Sequence, residues 1–86
     1  MTERRRLALE LRGAVQGVGM RPHLYRLATA LGLGGTVSNQ LWGVEVQLEG
    51  TEEQLRGFLD RFVAELPPRA ALWSVQQREL TPQGEH

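Results

Sequence analysis

Three glycines and an arginine lie close together in the stretch GAVQGVGMRP, residues 13–22. Glycine adopts backbone angles that other residues avoid, so the N–H groups of such a loop can turn inward toward an anion. The start of a helix adds unpaired N–H groups and the positive end of the helix dipole. Arg21 adds a planar guanidinium that matches two oxygens of a phosphate. These parts predict a phosphate-binding loop, although on glycine content alone a tight turn beside a solvated Arg21 is the simpler interpretation.

The remaining composition excludes most other catalytic chemistry. The chain has no cysteine, and all ten basic residues are arginine, which excludes thiolate chemistry, lysine Schiff bases and most zinc sites. Only His23 and His86 are histidines, so we expect neither a metal nor another cofactor. Ten basic and ten acidic residues cancel, which argues against nucleic-acid or membrane binding driven by net charge.

The length of 86 residues predicts one domain with one modest core. We expect an ordered core over about residues 5–80 and a polar tail over 81–86, either loose or the start of a linker. No apolar run approaches the roughly 20 residues that span a bilayer, and no cleavable leader is visible at the N-terminus. A cytoplasmic monomer is therefore the expectation.

Two elements flank the glycine-rich stretch. In RLALELRG, residues 6–13, Leu7, Leu9 and Leu11 alternate with other residues, which predicts a strand with one buried face. Pro22 suits the first turn of a helix, and apolar residues at helical spacing continue that helix to a stop at Gly32. The pattern predicts a helix over about residues 22–32.

The second half of the chain repeats this arrangement. The segments GTVSN and GVEVQLEG predict two strands joined by a hairpin through residues 40–42. Thr51 and Gln54 fit a capping box, and apolar spacing extends the following helix to Leu66, before Pro67-Pro68 ends it. The segment ALWSVQQREL, residues 71–80, predicts a last strand.

This order of elements predicts an α+β fold, the ferredoxin-like βαββαβ sandwich with a four-stranded antiparallel sheet and two helices on one face. Right-handed crossovers make the first and second strands parallel, with the third between them. The C-terminal ends of the two parallel strands then open at the same edge, about 10 Å apart. Asn39, at the end of the second strand, is thereby brought close to the loop that follows the first.

Two segments resemble those of the acylphosphatase family. LRGAVQGVGMR is similar to the family's phosphate-loop signature, and GTVSNQLWG is similar to a second family segment in the expected order. The resemblance covers nearly the whole chain. The matching residues are Leu11, Gly13, Val15, Gln16, Gly17, Val18, Met20 and Arg21 in the first segment and Gly35, Val37, Asn39 and Gly43 in the second.

The resemblance implies hydrolysis of acyl phosphates, mixed anhydrides of a carboxylic acid and phosphate, with inorganic phosphate as a product. It implies that Arg21 is the catalytic residue that binds the phosphoryl group and that Asn39 positions the attacking water. It also implies a phosphate-binding backbone, contributed by Gln16, Gly17, Val18, Gly19 and Met20. Outside this motif, an asparagine before a hairpin is more often an ordinary turn residue.

Two other functions remain open. Arg21-Pro22, GVEV and PPRAALWSV are especially similar to the acylphosphatase-like N-terminal domain of the hydrogenase-maturation carbamoyltransferase, whose substrate is carbamoyl phosphate. A chain with its own Met1 favours a stand-alone enzyme, whereas a cut fragment favours this alternative. RNA-recognition domains share the order of elements, but they stack bases on aromatic residues of the sheet. The first and third predicted strands carry no aromatic residue, so we expect no nucleic-acid partner.

Three further features have ordinary structural interpretations. His23, in the first predicted helical turn, is expected to be an exposed histidine. Trp42 is expected to pack over the end of the sheet. The run of arginines at residues 4–6 is expected to be a solvated leader rather than a docking patch for anions.

Overall fold

The computed structural model describes residues 3–84, and its strands and helices follow one another in the predicted order. The elements are β1 (Arg4–Ala14), α1 (Met20–Ala30), β2 (Gly34–Gln40), β3 (Gly43–Thr51), α2 (Glu52–Phe62) and β4 (Ala71–Leu80). The sheet has the order β2-β3-β1-β4, and every neighbouring pair is antiparallel. The predicted fold and the predicted position of the third strand between the first two are confirmed. Neither helix within residues 3–84 has the length and apolar character needed to cross a membrane.

The core lies between one face of the sheet and the two helices. Alternate residues of the central strands β1 and β3 face the helices and are almost completely buried: Leu7, Leu9, Leu11, Val44, Val46 and Leu48. From α2, Phe58 and Phe62 pack into the same core with their rings stacked 5.5 Å apart. Because β1 and β3 occupy the centre of the sheet and supply most of its buried residues, β2 and β4 form its two edges.

Helix α1 begins at Met20 and ends at Ala30, two residues earlier at each end than predicted. Gly19 is the N-cap, with a left-handed φ of 82°, so the turn into the helix is made before Pro22. At the other end Gly32 has φ 74°, and the Leu33 N–H donates to the Ala28 carbonyl at 2.9 Å. This is a Schellman motif, in which glycine adopts the left-handed conformation just after the helix. Gly32 therefore ends the helix as predicted, but it lies just after the helix instead of being its last residue.

Helix α2 begins with the predicted capping box. The Gln54 N–H donates to the Thr51 hydroxyl at 3.2 Å, and the Thr51 N–H donates to the Gln54 side-chain oxygen at 2.8 Å. The helix ends at Phe62 rather than at Leu66 as predicted. Val63, its C-cap, is half exposed, and Leu66 packs against the core from a turn. The apolar spacing in the sequence extends past the end of the helix because Leu66 also packs against the core, from backbone that is not helical.

The face of the sheet opposite the helices carries a network of charged side chains. Arg6 is buried and donates to the Glu49 carboxylate at 3.1 Å, and Arg4 donates to the same carboxylate at 3.4 Å. On the helix face, Arg5 pairs with Glu79 at 2.8 Å. The prediction of a solvated leader was wrong, because residues 4–6 belong to the central strand β1, where charged side chains on β3 and β4 neutralise them.

The described part of the tail is fixed to this network. Glu49 also accepts hydrogen bonds from the backbone N–H groups of Gln83 at 2.7 Å and Gly84 at 2.8 Å. These N–H donors, with Arg6 and Arg4, lower the pKa of Glu49 to about 2, against the opposing effect of burial. Residues 83 and 84 are thus held on the sheet by hydrogen bonds, which a loose tail would lack; residues 85 and 86 lie outside the described part of the chain.

Candidate active site

The register of the sheet brings two segments to one edge. Strands β1 and β2 both run antiparallel to β3, so they are parallel to each other and their C-terminal ends lie at the same edge. Leu11 of β1 and Asn39 of β2 are paired with the same β3 residue, Val44, from opposite sides. The backbones of Leu11 and Asn39 are therefore about 10 Å apart, two strand spacings. Because Val44 is in the core, Asn39 shares the helix-covered face.

The glycine loop, residues 16–20, connects the end of β1 to α1. Gly17 and Gly19 have φ values of 72° and 82°, in the left-handed region that favours glycine. A Cβ atom at either position would meet no atom of the described residues within 4 Å, so these residues leave the space above the loop open. Buried residues hold both ends of the loop, since Val15 and Met20 are each only 1% exposed.

The backbone N–H groups of this loop are free to bind a ligand. Within residues 3–84, no N–H of residues 16–21 donates a hydrogen bond to a protein group. In the part of the chain that the structure describes, no side chain caps the N-terminus of α1, and the first turn of a helix leaves N–H donors without intrahelical partners. Donors in this state, at the positive end of a helix dipole, favour an anion.

Arg21 lies in the first turn of α1, beside these donors. It is exposed, and among residues 3–84 its side chain makes neither a hydrogen bond nor an ion pair. Most of the other arginines form ion pairs with acidic side chains. Within the same described range, only Arg26 and Arg69 share with Arg21 the lack of an acidic partner. Arg21 also forms part of the wall of a groove of about 760 Å³ between α1 and β2. Its positive charge is therefore available to an anion.

The Gln16 side chain connects the glycine loop to the hairpin between β2 and β3. Its amide nitrogen donates to the carbonyl oxygens of Gln40 at 2.5 Å and of Gly43 at 2.6 Å. Sequence reasoning assigned only the backbone of Gln16 to the site and missed this side-chain contact. Gln40 directly follows Asn39, so the contact joins the loop to the end of the strand that carries Asn39.

Two glycines of the second family-like segment are required by close backbone approach. A Cβ atom at Gly35 would lie 1.7 Å from the Gln47 carbonyl oxygen, and one at Gly43 would lie 2.0 Å from the Leu11 carbonyl oxygen. Both residues also have positive φ, 137° and 152°. These glycines allow β2 and the hairpin to approach their neighbours, which sets the position of Asn39 relative to β1.

The structure corrects the prediction for His23 and shows what Trp42 contacts. His23 is 8% exposed, and its Nε2 atom lies 3.2 Å from the Phe62 carbonyl oxygen at the end of α2. The prediction of an exposed histidine was wrong, because α2 packs against this side of α1. Trp42 is half-buried in the hairpin turn, with the Arg12 guanidinium 4.5 Å from the centre of its ring. Arg12 also pairs with Glu10 at 3.1 Å, so it is already engaged.

The predicted site residues thus fall into one region of the fold. The glycine loop, Arg21 and Asn39 all lie at the edge of the sheet where β1 and β2 end, and within residues 3–84 no side-chain hydrogen bond occupies Asn39. The described residues include no cluster of three or more side chains able to hold a metal. Backbone N–H groups, the Arg21 guanidinium and the Asn39 carboxamide are thus the polar groups that the prediction assigned to this end of the sheet.

Comparisons with known sequences find two kinds of relative. The family model described as Acylphosphatase matches residues 7–86. The acylphosphatase of Thermotoga maritima is 43% identical over 79 residues, which cover 91% of this chain and 87% of that protein. The carbamoyltransferase HypF of Rhizobium leguminosarum bv. viciae is 45% identical over 80 residues, 93% of this chain but 10% of that protein. The chain thus spans about a tenth of the length of the carbamoyltransferases that it matches.

Solved structures show the same two kinds of relative. An acylphosphatase from Bacillus subtilis superposes with a TM-score of 0.85 at 29% identity, covering 98% of this chain and 93% of its own. Full-length HypF in a phosphate- and nucleotide-bound form superposes with a TM-score of 0.95 at 26% identity, covering 99% of this chain and 11% of that protein. The described fold is therefore found both as a whole small protein and as one part of a much larger one.

Proposed function

Because the chain belongs to the acylphosphatase family, we propose that it hydrolyses the carboxyl–phosphate bond of acyl phosphates, releasing a carboxylate and inorganic phosphate. One observation carries the proposal: within residues 3–84 the Arg21 side chain has no partner, and it lies beside backbone N–H groups that have none there either. A guanidinium and a set of N–H donors are the groups that bind a phosphoryl dianion. Asn39 lies at the end of the neighbouring parallel strand.

Each group has a defined part in the reaction. Arg21 and the N–H groups of the glycine loop hold the phosphoryl oxygens and stabilise the charge that they carry in the transition state. The Asn39 side-chain oxygen accepts a hydrogen bond from a water molecule and aims that water at phosphorus. The water oxygen forms a new bond to phosphorus as the bond from phosphorus to the acyl oxygen breaks, and the electron pair leaves with the carboxylate. One proton of the water stays on the oxygen that is now bonded to phosphorus, and the other passes to a second phosphoryl oxygen, because an asparagine amide is not a base.

The leaving group explains why so few side chains suffice. A carboxylate, whose conjugate acid has a pKa of about 4, leaves without protonation by a general acid. Phosphoryl transfer depends mainly on positioning and on electrostatic stabilisation. A loop of N–H groups, one arginine and one oriented water supply both.

A second candidate substrate is carbamoyl phosphate, which is also a carboxyl–phosphate anhydride. The match to about a tenth of the length of HypF carbamoyltransferases, at 45% identity in one case, favours it. In that case the chain is the part of a larger protein that binds and cleaves carbamoyl phosphate. The same residues would serve, because both substrates present the same phosphoryl group to Arg21.

Hydrolysis of benzoyl phosphate and of carbamoyl phosphate by the purified chain, measured side by side, tests the proposal. We expect turnover of at least one substrate and competitive inhibition by inorganic phosphate, since the product occupies the same N–H groups and the same guanidinium. A clear preference for carbamoyl phosphate would favour the second candidate. Absence of turnover with both substrates, by protein shown to be folded by circular dichroism, would contradict the proposed function.

A further inference from the structure

The glycine loop has few contacts of its own that could fix its position. Apart from the His23 N–H bond to the Gly19 carbonyl at 3.2 Å, no backbone hydrogen bond within residues 3–84 involves residues 16–19. Val15 and Met20 bury the two ends, but two left-handed glycines lie between them. Glycine-rich backbone without hydrogen bonds has many accessible conformations. A contact with another segment therefore restricts the conformations that the loop adopts.

The Gln16 side chain makes that contact. Its amide nitrogen carries two hydrogens, and one is donated to the Gln40 carbonyl and the other to the Gly43 carbonyl. Gln40 and Gly43 are the register pair that closes the two-residue hairpin turn. Gly43 in turn lies directly against the Leu11 carbonyl of β1. One amide group therefore connects the loop, the end of β2 and the start of β3.

We propose that Gln16 is a positioning residue that holds the glycine loop at a fixed distance from Asn39. The inference rests on the proposed function, since it concerns the alignment of bound phosphoryl group and attacking water. The loop and Arg21 hold the phosphoryl group, whereas Asn39, on a different strand, holds the water. The Gln16 side chain connects these two halves of the site directly, through hydrogen bonds to the residues at both ends of the hairpin turn. A misplacement of about 1 Å between reacting groups can cost a hundredfold in rate.

Gln16→Met tests the idea because methionine keeps the length and loses both donors. We expect kcat to fall by about tenfold to a hundredfold, while the inhibition constant for inorganic phosphate changes less than about threefold, since Arg21 and the loop N–H groups remain. Gln76→Met is the matched control: Gln76 is exposed on β4, away from the site, and we expect wild-type kinetics. A Gln16→Met enzyme with wild-type kcat would overturn the inference. Loss of phosphate affinity in parallel with kcat would also overturn it, because Gln16 would then belong to the anion-binding group itself.

A double-mutant cycle with Asn39→Ala separates positioning from a general loss of structure. If Gln16 acts through the alignment of Asn39, then Gln16→Met should cost less than about threefold in the Asn39→Ala background. An equal cost in both backgrounds would show that the two residues act independently and would refute the inference.

A phosphate titration followed by NMR tests this inference separately from the proposed function, because the titration requires no turnover. In the wild type, added phosphate should shift the resonances of both the glycine loop and the Asn39 side-chain amide. In Gln16→Met the loop shifts should persist and the Asn39 shift should largely vanish. Persistence of the Asn39 shift in the variant would refute the role of Gln16, whatever the wild-type enzyme hydrolyses.

Discussion

Replacement of Arg21 by alanine should abolish most of the activity without unfolding the protein. The guanidinium is exposed and has no protein partner within residues 3–84, so its removal leaves no buried group unsatisfied. Loss of a single donor to a transition-state oxygen costs about 100- to 1000-fold in kcat, and a guanidinium fork supplies two donors. We therefore expect a loss of at least about 1000-fold, which corresponds to about 4 kcal/mol of transition-state stabilisation.

No other arginine can replace Arg21 from the same helix. Arg26 follows five residues later, which places it about 7.5 Å along the axis and about 140° around it. Arg26→Ala is therefore the matched control: it removes an exposed arginine without a described partner from α1, and kcat should stay within about twofold of the wild type. Arg21→Lys keeps the charge but loses the planar fork, so we expect it to recover only a small part of the lost activity.

The assay is the rate of benzoyl phosphate hydrolysis followed by absorbance, with kcat and KM determined separately for each variant. Circular dichroism and thermal unfolding establish that each variant is folded. Near-native turnover by Arg21→Ala would refute the assignment of phosphate binding to this guanidinium. Equal losses in Arg21→Ala and Arg26→Ala would show that only the overall charge of the helix matters.

Three further predictions concern other parts of the molecule. Asn39→Ala should lower kcat about a hundredfold, since one transition-state contact is lost, and leave phosphate inhibition nearly unchanged; strong loss of inhibition would place Asn39 among the phosphate-binding groups instead. The pKa of Glu49 is lowered to about 2, first by the Gln83 N–H and then by Arg6, so its contribution to stability is complete above the unfolded value near 4.5 and is lost as the pH falls toward 2. Glu49→Gln should therefore lower the unfolding temperature at pH 7 and narrow its difference from the wild type between pH 4.5 and 2; a constant difference across that range would contradict the assignment. Gly35→Ala should destabilise the fold strongly, because its Cβ would lie 1.7 Å from a backbone oxygen, whereas Gly84→Ala, with the same sign of φ and open space, should cost much less in denaturant unfolding.

Local sequence patterns determined most of the elements and part of the site. Thr51 and Gln54 specify a helix start through two hydrogen bonds over three residues, and Gly32 specifies a helix stop through its own backbone angle. Alternating leucines identified β1, and right-handed crossovers then predicted the strand order. Arg21 and the glycine loop are contiguous in sequence, so their proximity also follows from local structure.

Tertiary structure alone decided the features that depend on contacts between distant segments. The burial of His23 depends on α2, the pairing of Arg6 depends on Glu49, and the end of α2 at Phe62 depends on where the core ends. The Gln16 bridge connects residues 24 and 27 positions apart through two carbonyl oxygens. Every residue has such a carbonyl, so no side-chain pattern marks these two as acceptors. A sequence shows which side chains can donate and which segments form strands, but only the folded sheet determines which backbone atoms come within reach.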